Sequence, residues 1–86
     1  MKSKIIQILN EIRPEFDFNE PVDNIVEQGM LDSFDVVTLV TMLEEEFKIL
    51  IEGTEIVSTN FISVESICLL LSKYIKEWIY ILKIKR

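Results

Sequence analysis

The chain is 86 residues long and 49% hydrophobic, with a formal charge of −6. That length supports one domain, residues 1–86, with a thin core burying about 60% of the surface its unfolded chain exposes. The single cysteine and the absence of histidine rule out an internal disulfide, a Cys-rich zinc site and every Ser-His or Cys-His catalytic pair, so a self-contained hydrolase is not expected.

Charge distribution says more than its sum. Between Pro14 and Glu65 stand 13 acidic side chains and one basic one, Lys48. An acidic middle repels nucleic-acid phosphates and attracts basic protein surfaces, and it also keeps a small protein in solution. No apolar run reaches the roughly 18 residues a membrane span needs. The N-terminal Met-Lys-Ser-Lys lacks the features of a signal peptide. A cytoplasmic monomer is the expectation, with no nucleic-acid or membrane partner.

In chain order, residues 3–13 read as a helix with Ser3 as its cap and Ile5, Leu9 and Ile12 on one face. Pro14 disfavours helix in Arg13 and ends it. Residues 14–31 read as a long loop holding Pro14, Pro21 and Gly29, pinned to the core by Phe16, Phe18, Val22 and Ile25. Connections of this length in a small domain tend to be functional.

Residues 32–48 read as the central helix, with Val36, Val40, Leu43 and Phe47 on one face and Val37 and Leu39 widening it. Glu44, Glu45 and Glu46 near its C-terminus oppose the macrodipole, so helix stability does not explain them and a surface role becomes more plausible. They point in different directions and cannot share one metal ion. Residues 49–62 read as irregular, with a short helical turn near Glu55–Thr59 and no strand for Ile49-Leu50-Ile51, which has no partner.

Residues 63–78 read as the last helix, capped by Ser63, with Val64, Ile67, Leu71, Tyr74 and Trp78 in phase. Residues 79–86 form a basic tail that extends this helix or docks on a partner or a membrane surface. Cys68, between Ile67 and Leu69, reads as a buried structural thiol with no positive charge beside it to activate it. The sum is an all-α bundle of three to four helices with a long loop between the first and second.

One stretch carries chemistry: Gly29-Met30-Leu31-Asp32-Ser33-Phe34-Asp35. Its serine stands at a helix start, where unpaired N–H groups and the positive end of the dipole would stabilise a phosphodiester. With no base beside it, Ser33 suits the role of substrate better than nucleophile. Asp32-Ser33 followed by Asp35 is also an ordinary helix cap, and the two roles can coexist.

These residues resemble the Asp-Ser-Leu signature of the acyl carrier protein family. Glu27-Gln28-Gly29-Met30-Leu31 and Leu43-Glu44-Glu45-Glu46-Phe47 resemble the family pattern at the expected spacing. So do Ile12-Arg13-Pro14-Glu15, Ile51 and the run Asn60-Phe61-Ile62-Ser63-Val64-Glu65-Ser66-Ile67, which spreads the resemblance over roughly Lys4 to Ile79.

The resemblance implies a non-catalytic carrier with a covalent 4′-phosphopantetheine arm on Ser33, installed by a phosphopantetheinyl transferase that uses Asp32 to position Mg²⁺ and the serine. It implies thioester cargo for enzymes of fatty acid, polyketide or related biosynthesis. Phe34 would touch those partners, and Asp35, Glu44 and Glu45 would dock on their basic surfaces. Two positions depart from the pattern: Phe34 replaces leucine, and Thr38 stands where fatty-acid-type carriers often have glutamate. Both suggest a dedicated carrier with few partners. Asp32 argues against a typical peptide-synthetase carrier, while aminoacyl and D-alanyl carriers keep Asp-Ser. The alternatives are an unmodified acidic helical adaptor, in which Asp32-Ser33 is only a cap, and a small regulatory subunit of a synthase or ligase.

Overall fold

The computed structural model describes the backbone of residues 1–20 and 22–84, and side chains as far as residue 75 apart from residue 21. It is an all-helical bundle: α1 (Lys2–Ile12), α2 (Ser33–Phe47) and α3 (Val64–Ile84), with short 3₁₀ turns at Gly53–Glu55 and Ser58–Phe61 before α3. The described residues include no strand.

Helix α1 buries Ile5, Ile8 and Leu9, the i, i+3, i+4 pattern of one helical face. Its cap lies two residues earlier than Ser3 suggests. The Ile5 N–H donates to the Met1 carbonyl at 3.1 Å, so Met1 occupies the cap position, without a side-chain bond, and Ser3 lies inside the first turn. At the other end Arg13 leaves the helical region (φ −131°, ψ 79°), as a residue before proline must.

The loop from Pro14 to Leu31 is held by its apolar residues, as its sequence suggests. Phe18, Ile25, Met30 and Leu31 are buried, and Phe16 and Val22 pack against them. Phe16 and Phe18 meet edge to face, 6.3 Å between centroids. The Asn24 side chain accepts the N–H groups of Val26 and Glu27 at 3.1 and 2.9 Å, which closes a local turn. Gly29 completes it at φ +75°, a left-handed conformation that L side chains resist. The Ile25 carbonyl then accepts the N–H groups of Met30 and Leu31, while the Ile25 N–H donates to the Ile62 carbonyl at 2.8 Å.

Helix α2 buries Leu39, Val40 and Leu43. Val37 does not widen this face; it is 63% exposed. At 100° per residue it lies roughly 115° round from the middle of the buried three, and Phe34 lies about opposite them. Lys48 ends the helix in the left-handed conformation (φ 55°, ψ 47°), its N–H returning to the Glu44 carbonyl. Helices α1 and α2 run antiparallel. Arg13 meets Asp35 at one end of the pair, and Lys4 meets Glu46 at the other, at 3.4 Å.

The segment after α2 holds two 3₁₀ turns, separated at Ile56–Val57, where the sequence suggests one. Ile51 is buried and Leu50 79% exposed. The Ile51 and Glu52 backbone donors go to side chains instead of a neighbouring strand. The Ile51 N–H donates to Glu44 Oε2 at 2.9 Å, and the Glu52 N–H to the Tyr74 hydroxyl at 3.0 Å.

Helix α3 opens as expected at Ser63. Ser63 and Ser66 exchange reciprocal N–H to Oγ bonds, both 3.1 Å, a capping box with serine at both positions. Val64, Ile67, Leu70 and Leu71 are buried. The helix continues to Ile84, six residues beyond the expected end at Trp78. The core-facing role expected of the Trp78 side chain, and the packing of residues 79–86, lie outside the described residues. No helix among the described residues is long and apolar enough to cross a membrane.

Candidate functional site at the start of helix α2

The sequence puts a capping pair and a serine in one short run, and the fold turns that run into a closed arrangement. Asp32 Oδ1 accepts the Asp35 N–H at 2.9 Å, and Asp35 Oδ2 accepts the Asp32 N–H at 3.0 Å. This reciprocal box satisfies two backbone donors at the helix start. Ser33 is the first helical residue. Asp32 and Asp35 make the cap, so the exposed Ser33 hydroxyl stands outside it.

Arg13 crosses from the end of α1 to this box. Its Nε and Nη2 both lie 2.7 Å from Asp35 Oδ2, and its Nη2 and Nη1 lie 3.2 Å from Asp32 Oδ2 and Glu15 Oε2 respectively. Asp35 is the covered member of the group, its side chain 15% exposed against 59% for Asp32. Burial pushes the Asp35 carboxyl up, but the Asp32 N–H and the Arg13 hydrogen bond and charge outweigh it and leave it below the usual range. The hydrogen bonds to Asp35 and Glu15 raise Arg13 in turn.

The outward face of α2 carries Phe34, 83% exposed, then Val37, Thr38, Thr41 and Glu45. The Thr38 and Thr41 hydroxyls donate back to the Phe34 and Val37 carbonyls, each at 3.1 Å. The surface here is therefore an apolar pair flanked by satisfied hydroxyls.

The three acids expected to dock on partners are not brought together. Asp35 and Glu44 are nine residues apart, which places them about 180° apart around the helix. Asp35 is committed to Arg13 and Asp32, and Glu44 to the Ile51 N–H. Glu45 is exposed, and Glu46 pairs with Lys4. Two of the three acids near the C-terminus of α2, Glu44 and Glu46, thus have partners elsewhere in the fold. Arg13 is the member of the site that sequence reasoning missed. The available signal was that it is the sole cation between Lys4 and Lys48.

Other chemistry is not built here. Among the described residues no group of three or more His, Cys, Asp or Glu side chains is placed to hold a metal ion. Cys68 is half-buried against the core. Burial, then the nearby Glu65 charge, pushes its thiol up, away from reactivity. A cavity of about 330 Å³ lies between Lys2, Ile6, Phe18, Val22 and Val64. A second, about 270 Å³, lies between Glu46, Phe47, Ile49 and Ile75, near the far end of α2 from Ser33. Neither is lined by Ser33.

No family model matches the chain, and neither a curated protein nor a solved structure matches it.

Proposed function

We propose that this protein is a carrier of acyl or aminoacyl groups, held as thioesters on a 4′-phosphopantetheine arm attached to Ser33. The observation that carries this reading is the Ser33 hydroxyl: exposed, at the first residue of a capped helix, and outside the cap. The site fits the group. The first-turn N–H groups favour an anion, and the exposed neighbours Asp32 and Phe34 leave room for a transferase. When attached, the arm supplies the thiol on which the cargo rides.

The chain's own residues have simpler tasks in this reading. Ser33 accepts the phosphopantetheinyl group from coenzyme A. Its Oγ–P bond forms as the pyrophosphate bond of coenzyme A breaks, adenosine 3′,5′-bisphosphate leaves, and the transferase takes the hydroxyl proton. Asp32, with a free lone pair on an exposed carboxylate, serves the transferase's Mg²⁺. Phe34 and Val37 offer apolar contact to partner enzymes, and Glu45 offers negative charge to their basic surfaces, so docking should weaken with salt. Fatty acyl, polyketide, amino acid and D-alanine are all compatible cargoes. A cytoplasmic monomer without nucleic-acid partners fits the same reading.

A second reading is favoured by one specific observation. The Asp32–Asp35 box is complete and joined to Arg13, so it accounts for the motif as a structural cap on an unmodified acidic adaptor. Intact mass after incubation with coenzyme A, Mg²⁺ and a promiscuous phosphopantetheinyl transferase separates the two. The carrier gains one phosphopantetheine and its Ser33→Ala variant gains none. A folded chain that gains nothing with two different transferases is the adaptor.

A further inference from the structure

We propose that Arg13 is a positioning residue for modification at Ser33, an inference that rests on the carrier reading. Ser33 sits between two residues, Asp32 and Asp35, whose carboxylates are both held by the same guanidinium, at 3.2 and 2.7 Å. Each carboxylate also accepts the other's backbone N–H. The turn that presents the hydroxyl is thereby tied to a residue 22 positions from Asp35, just past the end of α1. It is not left to the helix end alone, where helices fray.

Two consequences follow from that geometry. The guanidinium fixes which way the Asp32 carboxylate faces, because Oδ1 is taken by the Asp35 N–H and Oδ2 by Arg13. It also prevents Asp32, Asp35 and Glu15, three like charges gathered at one helix start, from repelling one another out of place. Without Arg13 the hydroxyl remains exposed but samples more arrangements, and only a fraction of them suit transfer. Apolar contact through Phe34 and Val37 lies on a different side of α2 from Asp35, so docking of the transferase is left largely intact. Arg13 therefore acts on turnover more than on binding. Lysine would restore one charge but not the fork that reaches two carboxylates together.

The test is the steady-state kinetics of transferase loading for the wild-type chain and the Arg13→Ala, Arg13→Lys and Lys4→Ala variants. All are assayed at a temperature where circular dichroism shows each one folded. Lys4→Ala removes the ion pair to Glu46 at the opposite end of the same two helices, so it controls for loosening of the α1–α2 contact as such.

The expected result is a kcat lower by about tenfold to a hundredfold for Arg13→Ala with KM little changed, partial recovery with lysine, and wild-type kinetics for Lys4→Ala. Faster amide exchange at Asp32 and Asp35, whose N–H groups close the box, accompanies the loss. Unchanged kcat in Arg13→Ala overturns the inference while leaving the carrier reading standing, and so does an equal fall in Lys4→Ala. A wild-type chain that is never loaded defeats the carrier reading and this inference with it.

Discussion

Arg13 and Asp35 are 22 residues apart in the chain, yet the guanidinium Nε donates to the carboxylate at 2.7 Å. The contact closes the long loop and stabilises the start of α2 at once. It also makes stability depend on acid. The carboxyl of Asp35 sits below its ordinary value in the fold, against about 3.9 unfolded. A depressed carboxyl contributes stability that is complete above its unfolded value and fades as pH falls through the folded one. Thermal melts from about pH 6 down to about pH 2 should therefore show an acid limb starting near pH 4. Asp35→Asn should be less stable at neutral pH and lose less over that limb.

The cap and the serine should separate cleanly. Asp32→Ala removes the side-chain oxygen that accepts the Asp35 N–H and should cost about 1 kcal/mol in urea denaturation. Ser33→Ala touches no capping bond and should stay within about 0.5 kcal/mol of wild type. The same substitution should abolish all mass gain in the loading assay.

Glu44 and Glu45 are adjacent in sequence but differ in what they hold. Glu44→Ala strands the N–H of the buried Ile51, and unfolding should show a loss of about 1–2 kcal/mol. Glu45→Ala should be nearly neutral in the same measurement and should instead weaken binding to a basic partner surface at low salt.

Lys48 adopts φ 55° with a side chain exposed to solvent. A left-handed conformation costs an ordinary residue roughly 1–2 kcal/mol, while glycine adopts it freely at the expense of a more flexible unfolded chain. Lys48→Gly should raise stability by about 0.5–1 kcal/mol net, read as a higher urea midpoint at unchanged slope.

Local features were legible in the sequence and distant ones were not. The boxes at Asp32–Asp35 and Ser63–Ser66 each join residues three positions apart, so their chemistry is written in one short run. Phe18 and Ile25 are apolar residues in a polar loop, and burial is the ordinary outcome. Ser3 misled because the turn starts wherever the first carbonyl is engaged, and that is Met1. Val37 misled because a valine on a helix reads as core until the buried arc is located from its neighbours. At the site, Asp32 and Ser33 could be picked out, but Arg13 reaches Asp32 and Asp35 across 19 and 22 positions, and no periodicity encodes that. Glu44 likewise looked like surface charge because its partner is a backbone N–H seven residues on.

The hydrogen bond from the Ile25 N–H to the Ile62 carbonyl ties the long loop to the stretch just before α3. Ile25 also anchors Met30 and Leu31 immediately upstream of Asp32. A disturbance at the entrance to the third helix thus has a short covalent and hydrogen-bonded route to the serine's threshold. The irregular parts of this molecule behave less like two slack connections than like one knot, and loosening either strand slackens the other.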